Sequence, residues 1–530
     1  MINEKIKKIL QQRGYTTDDD INKFLYPKME YLQDPYLLKG MEEAISTICN
    51  AIKENNKILI YGDYDVDGVT STSLLFSFLK KIGATNISYS VANRFNEGYG
   101  IGKKAIEKAI SDGVKLIITV DCGTKDIDSI DIARRAGVEV IVTDHHEPDN
   151  NNLPNANIIL NPKLDRESKF TELAGCGVVF KLIQGICTKM SIDFNEEILM
   201  LTCIGTVCDI VPLVNENRII TSCGLKLLEE SSSCTILGLK TLIEILKLKK
   251  ITVTDILFLI GPCINAAGRL DDATYAIDLL LTNEKEKAIE LARHIKNLNE
   301  ERKMMCKNTV EEAYAMIEEN KCTNMLYNPS WHQGILGIVA SRCVEYNNRP
   351  SIILTEKEGF ITGSARSNKS IDLYSSLCEC KELLLRFGGH TMAAGISLEK
   401  KNLEEFKLKF EEVIKRMNGD DNKTQNEIKE DLEISLEDID DGLIEGLKLM
   451  QPFGIGNENP IFKSKLAVSE IQEYEHNYKV VAYNSTKQIP AIIKKKITTN
   501  NNLKEGKEYL CYYKIILGQN NCYLSLIDIK

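Results

Sequence analysis

Several absences narrow the class of this chain. No apolar run approaches the roughly 20 residues that a helix needs to span a bilayer. Residues 1–13 are charged and hold no signal-peptide core. The expectation is a cytoplasmic protein without a membrane partner. None of the 16 cysteines forms a Cys-x-x-Cys pair, which argues against a zinc ribbon. Many lie inside apolar segments, as Cys203 and Cys208 do, and read as small buried hydrophobes of a reducing compartment. No internal repeat or low-complexity tract organises the chain. Histidine is scarce, with 6 residues, and tryptophan occurs once. An excess of positive charge is also missing, since the net charge is −10. That does not exclude nucleic acid, because phosphate binding depends on local basic patches. An acidic run over 420–441 carries much of the excess and is expected to face solvent or a linker.

At 530 residues the chain is too long for one core, and about two to four domains are expected. Residues 1–50 read as helical, broken at Pro27 and Pro35. From 57 to 161 short β-rich runs (57–61, 87–91, 116–120, 138–143, 158–160) alternate with helical stretches (71–82, 103–111, 127–136). This is the rhythm of a parallel sheet with helices on both faces. Residues 170–282 read as mostly helical. A long helical pattern over 284–320 lacks Gly and Pro and would span about 55 Å, as a bridge between domains or as a hairpin arm. A mixed region over 325–414 includes a strand near 351–355. Residues 418–431 read as a surface excursion. Five short β-rich segments (465–473, 478–483, 488–493, 508–517, 522–529) close the chain as a small Greek-key barrel.

Eight metal-competent side chains fall in four short segments: Asp63, Asp65 and Asp67; Asp121; Asp144, His145 and His146; and Asp209. Carboxylates with imidazole suit manganese or magnesium better than a thiolate metal. Two such ions held close together are a standard device for cutting phosphate esters. Asp63, Asp121 and Asp144 each follow a predicted strand, where ligands of parallel sheets sit. Gly68 permits a tight turn into the next helix. A calcium loop would need Glu at its twelfth position, and Leu74 stands there. Asp121 could equally be a helix N-cap. Asp209 lies in an apolar helical stretch and needs a metal or a salt bridge. Adjacent side chains diverge, so one histidine can ligate metal while the other contacts phosphate.

These segments together resemble the DHH phosphoesterase superfamily. Further motifs follow in order: Arg94 to Gly100, Gly261 to Leu270, Trp331 to Gly337, Gly363 to Ser367, Gly388 to Gly395 and Pro452 to Pro460. The series covers nearly the whole chain and resembles the RecJ family of bacterial single-strand-specific 5′→3′ exonucleases. The resemblance implies an α/β architecture with six parts. They are an N-terminal helical segment (1–50), a DHH-type parallel-sheet catalytic domain (51–283), a connecting helix (284–320), a second α/β DHH-associated substrate-binding domain (321–417), a linker and junction (418–460) and an OB-like β-barrel (461–530).

The resemblance also implies roles for residues. Asp63, Asp65, Asp67, Asp121, His145 and Asp209 would hold two Mn2+ or Mg2+ ions, with His146 beside them in catalysis. Arg94, Arg269, Ser364 and Arg366 would hold the terminal 5′-phosphate. Gly388, Gly389 and His390 would meet substrate as well. The glycines with Gly395 allow backbone amides close to a phosphate, and a tight turn entering a packed helix is the alternative. Trp331 would stack a base or anchor a core. Cys263 stands where the family usually has arginine or a similar polar residue. The expected activity is two-metal hydrolysis of single-stranded DNA to mononucleotides in recombination and repair. Duplex would be excluded by a narrow gap. Expected partners are a single-strand-binding protein and a RecQ-type helicase, and the chain is expected to be a monomer. Competing readings are a phosphoesterase for cyclic dinucleotides or very short RNAs, and a non-enzymatic scaffold that would have lost metal ligands. A pyrophosphatase would lack the Gly-Gly-His segment.

Overall fold

The structure is a computed structural model that describes residues 2–94, 100–165, 167–168, 170–229, 234–368, 370–419, 428–495, 503–518 and 521–530. Residues 95–99 of the Arg94 motif and 420–427 of the acidic run lie outside the described residues.

The first five apolar runs form β1 (Ile58–Gly62), β2 (Ile87–Val91), β3 (Leu116–Val120), β4 (Glu139–Thr143) and β5 (Ile158–Leu160). They make one wholly parallel sheet in the order β2-β1-β3-β4-β5. β1 and β3 are buried along their full length, as expected where helices cover both faces. Strand order reverses at β1, and the crevice beyond the carboxyl ends there is where such sheets bind ligands. Register makes the point sharper. Gly62 pairs with Val120, Val120 with Thr143 and Thr143 with Leu160. The residues that follow, Asp63, Asp121, Asp144 and Asn161, therefore leave the sheet along one row. The helix expected from 71 starts earlier, at Val66, because Asp65 caps it through Asp67 N and Gly68 N.

Helices between Gly175 and Leu281 pack over this sheet in its main apolar cluster. One continuous helix, Val253–Leu270, is long and apolar enough to cross a membrane by length and composition. It corrects the reading that no apolar run approaches that length. Its Ile256, Ile260, Cys263 and Ile264 are buried in the domain core.

The long helix is Lys285–Ala315, 31 residues or about 46 Å, shorter than expected. Leu291, Ala292 and Ile295 belong to the first core, while Cys306 and Ala313 belong to a cluster with Trp331 and Val339. It is therefore a bridge and not a hairpin arm. Beyond it lie β6 (Asn324–Tyr327), β7 (Ser351–Lys357), β8 (Phe360–Arg366), β9 (Arg386–Gly389) and β10 (Ala393–Glu399). Their order is β6-β7-β8-β10-β9, parallel only between β6 and β7. The helix considered after Gly389 is absent; His390 N donates to Ala393 O (2.8 Å) in a turn between β9 and β10.

The last strands are β11 (Leu432–Glu433), β12 (Phe462–Glu473), β13 (Asn477–Tyr483), β14 (Gln488–Lys494), β15 (Glu508–Leu517) and β16 (Cys522–Ile529). Pairing of β12 with β15 closes the barrel, and β11 adds beside β12. Ile6, Ile9, Phe24, Leu443 and Leu447 share the barrel's apolar cluster, so the N-terminal helices pack with the C-terminal module.

Candidate active site

The row of residues beyond the sheet gathers the acids. Asp63, Asp67, Asp121 and Asp144 are each at most 3% exposed. Asp121 takes a left-handed φ of 59°, which turns the chain sharply at the end of β3. Asp67 lies in the first turn of the helix Val66–Lys81. Its carboxylate accepts from Gly175 N (2.6 Å) and Cys176 N (2.8 Å) at the start of the helix Gly175–Met190, where the helix dipole favours negative charge. Asp209 comes from another direction, at the C-terminal end of the helix Glu196–Cys208.

His145 stands among them. Its Nε2 lies 3.2 Å from Asp121 Oδ1, 3.5 Å from Asp209 Oδ2 and 3.8 Å from Asp67 Oδ2. Three sets of ligand atoms lie within 4.8 Å of one another: Asp121, His145 and His146; Asp67, His145 and Asp209; Asp63, Asp65 and Asp121. Adjacent ligands of an octahedral ion at ~2.1 Å lie about 3 Å apart, so these spacings suit a small divalent cation. Asp63 Oδ1, His145 Nε2 and Asp209 Oδ2 are buried with no hydrogen-bond partner among the described residues. Such atoms are costly unless something else satisfies them. The donor set of carboxylates and one or two imidazoles fits manganese or magnesium.

The electrostatics say the same. Burial, and then the neighbouring carboxylates, push Asp63, Asp121 and Asp209 well above the usual carboxylate range and raise Asp65. Burial lowers His145 to about 4, which keeps it neutral, the form that ligates metal. Asp144 differs from the other acids. Its Oδ2 accepts from Thr124 N (2.9 Å), and its Oδ1 accepts from His145 N, His146 N and sits 2.8 Å from His146 Nδ1. Burial alone would raise it, but the His146 bond and charge outweigh that and hold it low. The same pairing raises His146 against its own burial. Asp144 thus holds the His146 ring and the backbone N–H groups of both histidines, and it stands in none of the three ligand sets.

A basic pocket adjoins the acids. Arg94 Cζ lies 5.0 Å from the ring centre of Tyr64, between Asp63 and Asp65 in sequence. Arg269 Nη1 donates to Gly334 O (3.3 Å), which joins the catalytic domain to the second one. Arg366 Nη1 donates to Ser364 Oγ (3.1 Å) on β8. Both face the start of the helix Leu336–Asn347, where a Cβ on Gly337 would meet Arg366 Nη2 at 2.9 Å and Ser364 Oγ at 3.0 Å. Burial lowers Arg269 to about 10, followed by repulsion from Arg94 and Arg302. Arg302, on the long helix, has no place in the sequence reading. Its Nε and Nη2 donate to Asn299 Oδ1 at 3.1 and 2.9 Å. It lies about five turns along a charged helix, and no local signal in the sequence sets it apart from its neighbours.

Gly388 pairs with Gly395 across β9 and β10, and Gly395 with Ser364 across β10 and β8. A Cβ on either glycine would meet nothing within 4 Å, so an open strip of backbone leads to Ser364. His390 lies in the turn beside that strip and feels the charges of Lys125, His146 and Lys163. Two residues whose roles the sequence leaves open lie in the core. Trp331 is 5% exposed and donates Nε1 to Glu312 Oε2 (2.8 Å), as a core anchor. Cys263 is wholly buried and accepts from Asn299 Nδ2 (3.4 Å).

Three family models match the chain: the N-terminal domain of the DHH family over residues 57–206, the DHHA1 domain over 318–416 and the RecJ OB domain over 430–521. The single-stranded-DNA-specific exonuclease RecJ of Escherichia coli is 35% identical over 436 residues, 77% of this chain and 74% of that protein. The chain belongs to the RecJ family. The RecJ of Bacillus subtilis is 36% identical over 481 residues, 88% of this chain and 59% of that longer protein. A crystal structure of Thermus thermophilus RecJ in complex with Mn2+ superposes with a TM-score of 0.86 at 25% identity, covering 100% of this chain and 76% of the other. A RecJ exonuclease bound to manganese is 31% identical over 73% of this chain and 97% of the other, with a TM-score of 0.66.

Proposed function

We propose that this chain is a metal-dependent 5′→3′ exonuclease that degrades single-stranded DNA to mononucleotides. The observation that carries the reading is one continuous site built from two parts. A buried carboxylate–imidazole cluster suits small divalent cations, and a basic pocket fitted for one phosphate group lies beside it. Asp63, Asp65, Asp67, Asp121, His145 and Asp209 are the residues that hold two Mn2+ or Mg2+ ions. Ions held there would supply a nucleophile at neutral pH and charge to offset that developing on phosphorus. His146, held by Asp144 and raised in basicity, donates to a phosphate oxygen. Arg94, Arg269, Ser364 and Arg366, with the start of the helix Leu336–Asn347, take the terminal 5′-phosphate, and Arg302 adds to their charge. Gly388, Gly389 and His390 carry the strand backbone. A phosphate pocket at one fixed distance from the cluster accounts for both polarity and product size. The two domains close on each other through Arg269 and Gly334, and the gap between them excludes duplex.

The barrel grips the strand further along by stacking and charge. The domain division given above, action in recombination and repair, a cytoplasmic location, a monomeric state and partnership with a single-strand-binding protein and a RecQ-type helicase belong to the same reading.

The test is digestion of a labelled 5′-phosphorylated single strand with Mn2+, beside duplex and cyclic-dinucleotide substrates. Stepwise loss from the 5′ end of the single strand alone, abolished in Asp121→Ala, is the expected result. Cleavage confined to dinucleotides would instead move the chain to the competing phosphoesterase. Strand binding without cleavage would make it a scaffold.

A further inference from the structure

The motif at 452–460 has no part in the chemistry above, yet it is built onto the loop that carries a metal ligand. Leu213 N donates to Ile455 O (2.7 Å). A Cβ on Gly454 would lie 2.7 Å from Leu213 Cδ1, and one on Gly456 would lie 3.2 Å from both Pro212 Cβ and Val214 Cγ1. The turn closes on itself through Gly454 N to Asn457 O (3.0 Å) and Asn457 N to Gly454 O (3.2 Å). Asn457 is 1% exposed. Its Nδ2 donates to Met450 O (2.8 Å) and Pro452 O (2.9 Å), and its Oδ1 accepts from Arg13 Nη1 (3.0 Å). Asn217 Nδ2 donates to Pro212 O (3.0 Å) from the catalytic side. From Pro212 onward the loop is therefore fixed.

At its other end the loop begins at Asp209, whose N donates to Gly205 O (2.9 Å) as the helix closes. Only Ile210 and Val211 span the interval. Ile210 has a φ of 61°, a region that a β-branched residue rarely adopts. It is also 58% exposed, so no packing of its own side chain holds it there. Its N–H donates to Val207 O (3.3 Å) as the helix ends, and the fixed residue at Pro212 holds the other side of this left-handed turn. Asp209 is the one carboxylate of the cluster that does not come from the first sheet's edge or its first helix, and its side chain is 21% exposed. Of the cluster acids it depends most on this loop.

We infer that the 452–457 turn of the C-terminal module is a positioning element for Asp209. Through the 210–214 loop it keeps that carboxylate beside Asp67 and His145. The inference rests on the metal reading above and concerns how the site is held, not what it cuts.

The test is Mn2+ binding to the full chain, followed by electron paramagnetic resonance of free Mn2+, in wild type, Gly454→Ala, Ile210→Gly and the double variant, with Asp121→Ala as control. Gly454→Ala is expected to weaken Mn2+ binding roughly 10-fold, the usual cost of losing a group that orients a ligand. Ile210→Gly is expected to weaken it comparably without lowering the melting temperature. In the Ile210→Gly background Gly454→Ala should cost little more, because both act through one loop. High Mn2+ should restore cleavage. Wild-type Mn2+ affinity in folded Gly454→Ala, or fully additive losses, would overturn the inference, whatever happens to stability. If Gly454→Ala does not fold, Asn457→Ala replaces it in the same cycle. If wild type binds no Mn2+, or Asp121→Ala binds it as tightly, the metal reading fails first and takes the inference with it.

Discussion

Asp121 shows at the residue scale what the site costs the fold. Burial and the charges of Asp67 and Asp65 push it well above the usual carboxylate range. An acid raised in this way keeps its proton longer in the folded chain than in the unfolded one. Its contribution is therefore unfavourable once the pH passes the ordinary carboxylate value, and it vanishes on acidification below that value. Asp121→Asn removes this repulsion. In metal-free protein near pH 8 it should raise the melting temperature by about 2–4 °C, on the order of 1 kcal/mol, and the gain should disappear near pH 4. Cleavage should fall on the order of 10³-fold or more, since a carboxylate of the cation site is lost. Calorimetry at pH 8 and pH 4 checks the first part and strand digestion the second; with Mn2+ wild type should gain stability and the variant much less. A variant less stable than wild type at pH 8 would contradict this account.

Among the elements, helix starts do much of the chemistry. The helix Gly175–Met190 gives its first amides to Asp67, and a Cβ on Gly175 would sit 2.7 Å from Asp121 Cβ and Oδ1. The helix Leu336–Asn347 presents its start to Arg366 and Ser364, with Gly337 at the contact. Gly337→Ala should displace the guanidinium and cost one charge-assisted bond to the terminal phosphate, about 1.5 kcal/mol. KM for a 5′-phosphorylated strand should rise roughly 10-fold, with kcat nearly unchanged and a 5′-hydroxyl strand little affected. Arg302→Gln should shift the same ratio in the same direction. Equal effects on both strands would remove the phosphate pocket from the explanation.

For the whole molecule, the junction between the catalytic domain and the C-terminal module turns on Arg218. Its guanidinium is buried and donates to Phe24 O (2.8 Å), Met450 O (3.0 Å), Leu449 O (3.0 Å) and Gln451 O (3.1 Å), stacked 3.7 Å from the Phe24 ring centre. Three of these carbonyls end the helix Asp441–Met450, where a cation is favourable. Burial lowers Arg218 to about 10, so it stays charged at neutral pH. Arg218→Met leaves the carbonyls of Phe24, Leu449 and Gln451 without their donor and Met450 O with Asn457 Nδ2 alone, and should cost on the order of 3–5 kcal/mol. In calorimetry the C-terminal module should then melt ahead of the catalytic domain. One transition at the wild-type temperature would show that the junction does not depend on this side chain.

The chain's local patterns determined a good deal by themselves. Apolar runs ending in acids gave the strands β1, β3 and β4 to within a residue, because strand ends are written in short-range hydrophobicity and turn chemistry. The five barrel strands were readable from their β-rich composition, four of them to within a residue at each end, while β12 begins at Phe462, three residues before its expected start. Which acids point into one cluster was not readable, since that follows from parallel register, which sets Asp63, Asp121 and Asp144 in a row only once β1, β3 and β4 pair. Asp144 looked like the other acids until its neighbours' N–H groups were seen to occupy it. Arg302 looked like any helical cation until the bridge placed it beside Arg269. The strands β8, β9 and β10 were missed because Gly363, Gly389 and Gly395 mimic turns, and the open sheet surface they form exists only across strands. The helices near Ile6 and Phe24 read as a separate segment, because nothing local says that they close the core of a barrel more than 400 residues away. Sequence set the elements and the chemical types at their ends; long-range pairing alone decided which charges face one another.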